Sequence, residues 1–459
     1  MTKKSELDNI SNAEGQHAVL GLSLDNVAVP STHPEAQWFP KAGLGLFLTW
    51  GIASAHGNLE LSWGMIANTT WDAAGAPGNK TTPEEYWKLA GRFDPQNYDP
   101  DKWCRAAAEA GFQYAVLVVM HHDGYTLWPS EYSEIGTHTH LGGRDLVRPY
   151  VEACRKHGLK VGLYVSPPDW HAEREYRDFG FCPESSMNGD LNAEFGLNAR
   201  HERVRLGKRT PELATRLREN WHGRTMELLT RYGRIDLLWF DGGGFDNELR
   251  DKARAVQPHI VINNRACIGD YNDTECKLPK ERPKSEWFEA CHCWQACDIP
   301  MANGGFVDVW GYLATEKFKP AAWMLEHLCK LRAWGGNLLI NIGPGPDGDL
   351  PESAYERLAE VAAWMAHSQE AIIGVDGEPE PNPANVPMTA RGHRRYLHLL
   401  PGVPGEITVN AAMPAPISAR VLRTGAPLAV KLDSSGWSIS VPGEMRTNLV
   451  DVVVVEQKI

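Results

Sequence analysis

Between residues 43 and 342 the chain alternates short runs that are apolar at almost every position with longer stretches of helical spacing. The runs at 43–50 (GLGLFLTW), 114–120 (YAVLVVM), 160–166 (KVGLYVS), 235–240 (IDLLWF), 259–263 (HIVIN) and 337–342 (NLLINI) have the length and composition of strands. A strand that is apolar on both faces must be covered on both faces, which is the pattern of a parallel sheet packed under helices. Helices are predicted over 103–110, stopped by Gly111, over 144–157, closed by Gly158, and over 211–232, closed by Gly233. Repeated over a segment of about 370 residues, this rhythm predicts an α/β fold, a (β/α)8-like barrel, with a doubly wound open sheet as the runner-up.

The rhythm stops near residue 374. Residues 374–392 are rich in Pro, Gly and Asn and read as a linker. Beyond them come short runs at 396–400, 406–409, 428–432, 437–441 and 451–455, separated by turns and without helical spacing. These predict a small antiparallel β-sandwich. The expected organisation is a barrel catalytic domain over 1–373, a linker over 374–392 and a C-terminal β-sandwich over 393–459.

Composition narrows the function. The 459 residues carry 46 basic and 58 acidic side chains, a net charge of −12, which argues against nucleic acid or an anionic membrane as partner. No apolar run approaches the ~18–20 residues of a membrane span. The first 22 residues hold two lysines but no apolar segment of the secretory kind. Nine cysteines, an odd number, read as reduced thiols, so a cytoplasmic protein is expected. Seventeen tryptophans against twelve phenylalanines hint at carbohydrate, because indole faces stack on sugar C–H surfaces.

In a barrel the reacting groups lie at the C-terminal ends of the strands. Polar and aromatic residues follow these predicted strands one after another: Thr49-Trp50, His121-His122-Asp123, Ser166 with Asp169-Trp170, Asp241, and Asn264-Arg265 followed by 270–275. Asp241 is the sharpest candidate, placed at the rim by Leu238-Trp239-Phe240 and given room by Gly242-Gly243-Gly244. Glu275 is the matching carboxylate in the next unit. Two carboxylates in different environments are what glycoside hydrolysis needs, one to attack the anomeric carbon and one to protonate the leaving oxygen. His121-His122 admits a metal reading, but no HExxH or second His pair accompanies it, and hydrogen bonding to a ligand's hydroxyls is favoured. The cluster Cys291, His292, Cys293 and Cys297 lacks the repeated CxxC of a zinc site and reads as buried thiols. The glycines of 335–348 fit neither nucleotide-binding pattern and read as a tight loop near the site. No cofactor and no metal are implied.

The ordered motifs resemble those of the α-L-fucosidases of glycoside hydrolase family twenty-nine. GLGLFLTWG (43–51) resembles the family's FGIFxHWG, and YAVLVVMHHDGYTLW (114–128) resembles its AxYxxLTxKHHDGFxLW. RDL (144–146), GLYVS with Asp169-Trp170, LWFDG (238–242), Asn264-Arg265 with 270–275, WGY (310–312) and GNLLINIGP (336–344) follow in the family's order. The resemblance implies a retaining mechanism with Asp241 as nucleophile and a glycan or small glycoside as substrate. It implies Glu275 as acid/base, with Glu289 and then Glu286 as alternatives. Sugar contacts would come from Trp63, His121, His122, Tyr164, Trp239, Arg265 and Trp310. The chain departs from the family pattern at three positions. Thr49 stands where the family has His, Ser62 stands before Trp63 where it has Glu, and Met120 replaces Lys. Larger hydroxyl-binding groups being absent there, a roomier pocket is expected, and with it either fucose or another L-configured or 6-deoxy sugar. An idle sugar-binding homologue is the reading from another class. The segment 171–210 matches no family motif and is expected to form a rim loop.

Overall fold

The computed structural model describes residues 28–67, 81–180, 194–242 and 245–458, apart from 277, 280, 286, 298–306, 315 and 316. Its centre is a parallel sheet of eight strands: β1 (Leu44–Leu48), β2 (Tyr114–Met120), β3 (Lys160–Val165), β4 (Leu237–Phe240), β5 (Val261–Ile262), β6 (Asn272–Glu275), β7 (Phe288–Cys293) and β8 (Asn337–Ile342). Their order is β6-β7-β8-β1-β2-β3-β4-β5. A parallel bridge from Asn263 to Tyr271 joins the two ends of that order and closes the ring. The expected barrel is thus the observed one.

Alternation along each strand divides the side chains between two surfaces. Leu46, Leu48, Leu117, Val119, Leu163 and Leu238 belong to the large core with the helix residues Trp103, Tyr150 and Leu228. Phe47, Val116, Val118, Tyr164, Leu237, Trp239 and Leu339 fill the barrel. Gly45 faces inward too, where an added Cβ would fall 2.2 Å from the Tyr114 ring.

The outer helices are α1 (Pro100–Glu109), α2 (Val147–Lys156), α3 (Pro211–Arg231), α4 (Asn247–Val256), α5 (Ala321–Ala333) and α6 (Glu352–Ser368). Helix α2 begins three residues later than predicted because the Asp145 carboxylate accepts the N–H groups of Val147 and Arg148 at 2.9 and 3.0 Å. Thr210 caps α3 through the Leu213 N–H at 3.2 Å. No described helix separates β5 from β6, which are joined by the irregular loop 263–271.

Two antiparallel sheets follow, as expected. One runs β9 (Asp376–Gly377), β10 (Met388–Arg391), β11 (Arg394–Leu399), β16 (Asp451–Glu456), β13 (Ser418–Val421), and the other β12 (Glu406–Asn410), β15 (Gly436–Ser440), β14 (Val430–Asp433). Strands β9 and β10 fall within the stretch 374–392 that reads as a linker. Leu397, Val453 and Val455 pack with Ile407, Trp437 and Ile439 between the sheets. Tyr396, Val452 and Val454 turn the other way and join the barrel's outer core. No helix among the described residues is long and apolar enough to cross a membrane. Cys291 is a buried, free cysteine, as are Cys104, Cys154, Cys267 and Cys329; Cys293 is buried and Cys276 half-buried, and the Cys297 side chain lies outside the described residues.

Candidate active site

Asp241 is the first residue beyond β4. The strand end is fixed by the Asn263 side chain, which accepts the Phe240 N–H and donates to the Phe240 carbonyl, both at 2.9 Å. One carboxylate oxygen of Asp241 accepts from Arg265 Nη1 at 2.7 Å and the other from the Tyr164 hydroxyl at 2.9 Å. Burial alone would raise this carboxyl; the Arg265 charge, His122 and the Tyr164 hydroxyl instead hold it below the ordinary aspartate value. Arg265 lies over the face of Trp239, 4.3 Å from the ring centre, which is itself stacked on Tyr164.

The same guanidinium reaches two more acids. Its Nε donates to Asp273 Oδ1 at 2.6 Å and its Nη2 lies 2.6 Å from Glu275 Oε1. Asp273 and Glu275 are two apart on β6, so they share the inward face. Burial pushes Glu275 up to about 7 against the pull of Arg265, and the charges of Asp241 and Asp273 add to the rise. Asp241 and Glu275 therefore sit on one arginine with their protons pushed in opposite directions.

Glu289 is in a different place. It lies near the start of β7, paired in register with Asp273 and with Asn337, the first residue of β8, whereas Glu275 pairs with Cys291. It is fully buried, accepts hydrogen bonds from the Tyr114 hydroxyl and, at 3.2 Å, from Trp239 Nε1, and burial pushes it up to about 8. It is a neutral acid inside the barrel, beneath Trp239. Glu286 lies outside the described residues.

Successive residues of a regular strand point to opposite faces, yet His121 and His122 have ring centres 4.2 Å apart. The ladder between β2 and β3 slips between Val118 and Met120, and the strand ends there, so both rings turn to the same side. His121 Nδ1 meets Ser62 Oγ at 2.5 Å, and His122 Nδ1 meets Ser166 Oγ. His122 Nε2 makes no hydrogen bond within the protein and lies 3.9 Å from Asp241. Burial lowers both imidazoles, His122 to about 4, so both are neutral at pH 7. Trp170 stacks on His122, and Trp63 meets both rings edge-on. His121, His122 and Asp241 offer one ligand atom each within 4.8 Å, the group among the described residues able to hold a metal ion. The Arg265 cation already seated on Asp241 competes with any such ion.

Trp310 is half-buried, 5.8 Å from Phe47. Its N–H donates to the Glu60 carboxylate at 3.1 Å and its carbonyl accepts from Asn341 Nδ2 at 2.8 Å. Thr49 donates to Asn341 Oδ1 at 2.5 Å, and Ser62 accepts the Asp123 N–H at 3.0 Å. The hydroxyls of Thr49 and Ser62 are thus both engaged by protein groups. Between Glu60 and Ser62 stands Leu61 at φ 46°, a left-handed conformation that costs a leucine about 1–3 kcal/mol. That turn sends Glu60 toward Trp310 and Ser62 toward His121.

The structure brings Trp63, His121, His122, Tyr164, Trp239, Asp241, Arg265 and Glu275 into one linked constellation, with Trp310 on the Phe47 side of it. Glu60, Asp273 and Asn341 were not singled out from sequence. Alternation along Asn272-Asp-Thr-Glu275 is the signal that places Asp273 on the face of Glu275. The loop after β8 does approach the site: a Cβ on Gly343 would fall 2.6 Å from the Tyr312 N of the Trp310 segment. Of the rim segment, 194–210 holds a hairpin of Phe195–Leu197 with Arg203–Arg205, and 181–193 lies outside the described residues.

A closed parallel barrel whose strand ends carry two carboxyl groups with their proton affinities pushed in opposite directions, walled by aromatic rings, is the architecture of a glycoside hydrolase. The family model for alpha-L-fucosidase matches residues 24–370, and the chain belongs to that family. The tissue alpha-L-fucosidase of Bos taurus is 28% identical over 385 residues, 76% of this chain and 70% of the relative. The structure of alpha-L-fucosidase isoenzyme 1 from Paenibacillus thiaminolyticus superposes with a TM-score of 0.73 at 26% identity, covering 93% of this chain and 99% of that one. A trapped covalent intermediate of an alpha-L-fucosidase from Bacteroides thetaiotaomicron, with 2-fluoro-fucosyl fluoride, superposes with a TM-score of 0.70 at 21% identity, covering 95% and 99%.

Proposed function

We propose that the protein is a retaining exo-glycosidase that removes terminal α-L-fucosyl residues from glycans or small glycosides, without cofactor. The observation that carries this reading is the single guanidinium of Arg265, which donates from one nitrogen to Asp241, a carboxyl held low, and lies 2.6 Å through another from Glu275, a carboxyl pushed up to about 7. In the first step an Asp241 oxygen attacks the anomeric carbon, the glycosidic C–O bond breaks, and Glu275 gives its proton to the leaving oxygen. In the second, Glu275 takes a proton from water, the water oxygen attacks the same carbon, and the bond to Asp241 breaks. Tyr164 and Arg265 steady Asp241 in both steps. The neutral imidazoles of His121 and His122, with Trp63, Trp239 and Trp310, would receive the sugar. The covalent intermediate trapped in the Bacteroides neighbour accords with such a path. The free buried thiols accord with a reducing compartment such as the cytoplasm.

A second reading keeps the chemistry and changes the sugar. It rests on Thr49 and Ser62, whose hydroxyls are spent on Asn341 and His121. Aryl α-L-fucoside, α-L-galactoside and α-L-rhamnoside, assayed side by side, decide between the two readings. The mechanism is tested by Glu275→Ala, which should slow poor leaving groups far more than activated ones, because a good leaving group needs no proton. Equal losses on both would remove Glu275 from the role.

A further inference from the structure

Three carboxylates meet on Arg265, and double displacement uses only two of them. The third, Asp273, is buried with 2% of its side chain exposed. It accepts from Arg265 Nε at 2.6 Å, with Arg265 Nη2 beside it at 2.5 Å, and from Asn263 Nδ2 at 3.3 Å. Asn263 is the residue that pins the end of β4 in front of Asp241. Asp273 therefore grips both the arginine and the amide that aim the nucleophile. It is too deeply buried to meet a sugar. We propose that Asp273 is a positioning residue that locks the Arg265 fork across the two reacting carboxylates and, through its buried negative charge, retains on Glu275 the proton that the first step consumes. The inference rests on the reading of Asp241 and Glu275 given above.

The geometry carries it in two ways. Arg265 presents a planar fork, and its outer nitrogens can serve Asp241 and Glu275 together only if the plane is fixed. The Trp239 face fixes its tilt, and the Nε contact with Asp273 fixes its rotation within that plane. The charge count gives the second part. The described groups facing this cluster are His122 from the end of β2, Tyr164 from β3, Asp241 from β4, Arg265 and Tyr271, the latter held protonated by burial, from the β5–β6 loop, Asp273 and Glu275 from β6, and Cys291 and Glu289 from β7. His122 is neutral, and Tyr164, Cys291 and Glu289 are held protonated by burial. Arg177, beyond His122, is paired with Glu173 at 2.7 Å. Asp273 Oδ1 and Glu275 Oε1 lie 2.5 and 2.6 Å from the same Arg265 nitrogen, so the two carboxylates crowd one guanidinium edge and the charge of Asp273 opposes ionisation of Glu275. Removing the charge of Asp273 leaves Arg265 and Asp241 balanced, and Glu275 then loses its proton more easily.

Asp273→Asn keeps the shape and a hydrogen-bonding oxygen but removes the charge. Its kcat/KM profile on a fucoside with a poor leaving group should lose its alkaline limb about one pH unit or more earlier than wild type, the size of shift a close buried charge produces. At pH 8 the loss should exceed that at pH 5 by at least ~10-fold, the equivalent of one such unit. An activated aryl fucoside should be affected far less. Asp273→Ser, which removes the charge with a different side chain, should shift the limb in the same direction. A uniform loss across pH, equal for both leaving groups, in either folded variant would overturn the proposal and leave a merely structural acid. Failure of both variants to fold would overturn it too, assigning Asp273 to closure of the barrel. If Glu275→Ala shows no leaving-group dependence, the reading of Glu275 falls; if it does and Asp273→Asn leaves the limb in place, the role of Asp273 falls alone.

Discussion

The barrel has two unlike halves. Strands β1 to β4 are buried and apolar at almost every position, and helices α1, α2 and α3 separate them. Strands β5 to β7 are short or mixed in character, β5 and β6 are joined by a loop without a helix, and this side supplies Arg265, Asp273, Glu275 and Glu289. The first half is held by volume and the second by charge. Asp241 stands at the seam, carried by an apolar strand and gripped by an arginine from the polar side. Reactivity in this fold is concentrated where the hydrophobic pattern fails, because ionised and half-ionised groups need one another more than they need a core.

The contrast can be broken from either side. The largest effect is expected at the seam: Asp241→Gly should lose at least ~10³-fold in kcat while keeping its fold, since it removes the covalent step and no core contact. Azide should restore part of the turnover, and no 2-fluoro-fucosyl adduct should appear by intact mass. Retention of more than about a tenth of wild-type turnover would end the assignment. In the apolar half, Leu117→Ala, at a fully buried position between Leu48 and Leu163, should cost about 2–5 kcal/mol of stability by urea unfolding. The pH dependence of its kcat/KM should match wild type. A shifted alkaline limb in that variant would show that the two halves are not separable.

The smallest effect concerns Glu289. Its carboxyl is raised by burial to about 8 in the folded protein, above its ordinary value of 4.5. The folded state therefore holds this proton more tightly than the unfolded chain does. The contribution to stability is complete below pH 4.5 and declines as pH rises toward 8. Glu289→Gln keeps acceptor and donor atoms for Trp239 and Tyr114 but cannot ionise, so its melting temperature should fall less than wild type's between pH 5 and pH 8. Parallel curves for the two proteins would contradict a neutral buried acid at this site.

The same division governs how much of the molecule is legible in its sequence. Strands β1 to β4 and β8 announce themselves as apolar runs, and Gly111, Gly158 and Gly233 mark the ends of three helices. Strand β6 does not. Asn272-Asp-Thr-Glu275 reads as a polar loop because its inward residues answer to Arg265, and hydropathy cannot report a strand whose core partner is a guanidinium. Phe288-Glu-Ala-Cys-His-Cys293 is obscured by Glu289 and His292 in the same way. At the site, Asp241 follows from its position at a strand end and Glu275 from the polar stretch beyond the strand at 259–263, whereas Glu60 depends on the left-handed turn at Leu61, a feature carried by backbone geometry. Strands β9 and β10 hide among prolines because each pairs at or near a sheet edge, where gaps in the hydrogen-bond ladder are tolerated.

Strand β16 lies later in the chain than every strand it joins, yet it pairs in the interior of its sheet, between β11 and β13. Its valines alternate between the sandwich and the outer wall of the barrel, and the neighbouring Val450 carbonyl accepts from Trp364 Nε1 of α6 at 2.7 Å. During synthesis on the ribosome, β11 and β13 must wait with open edges until these residues emerge, and Trp364 waits with them. The emergence of β16 thus works as a seam that shuts both parts at once, and a nascent chain stalled before residue 451 would carry two unfinished surfaces.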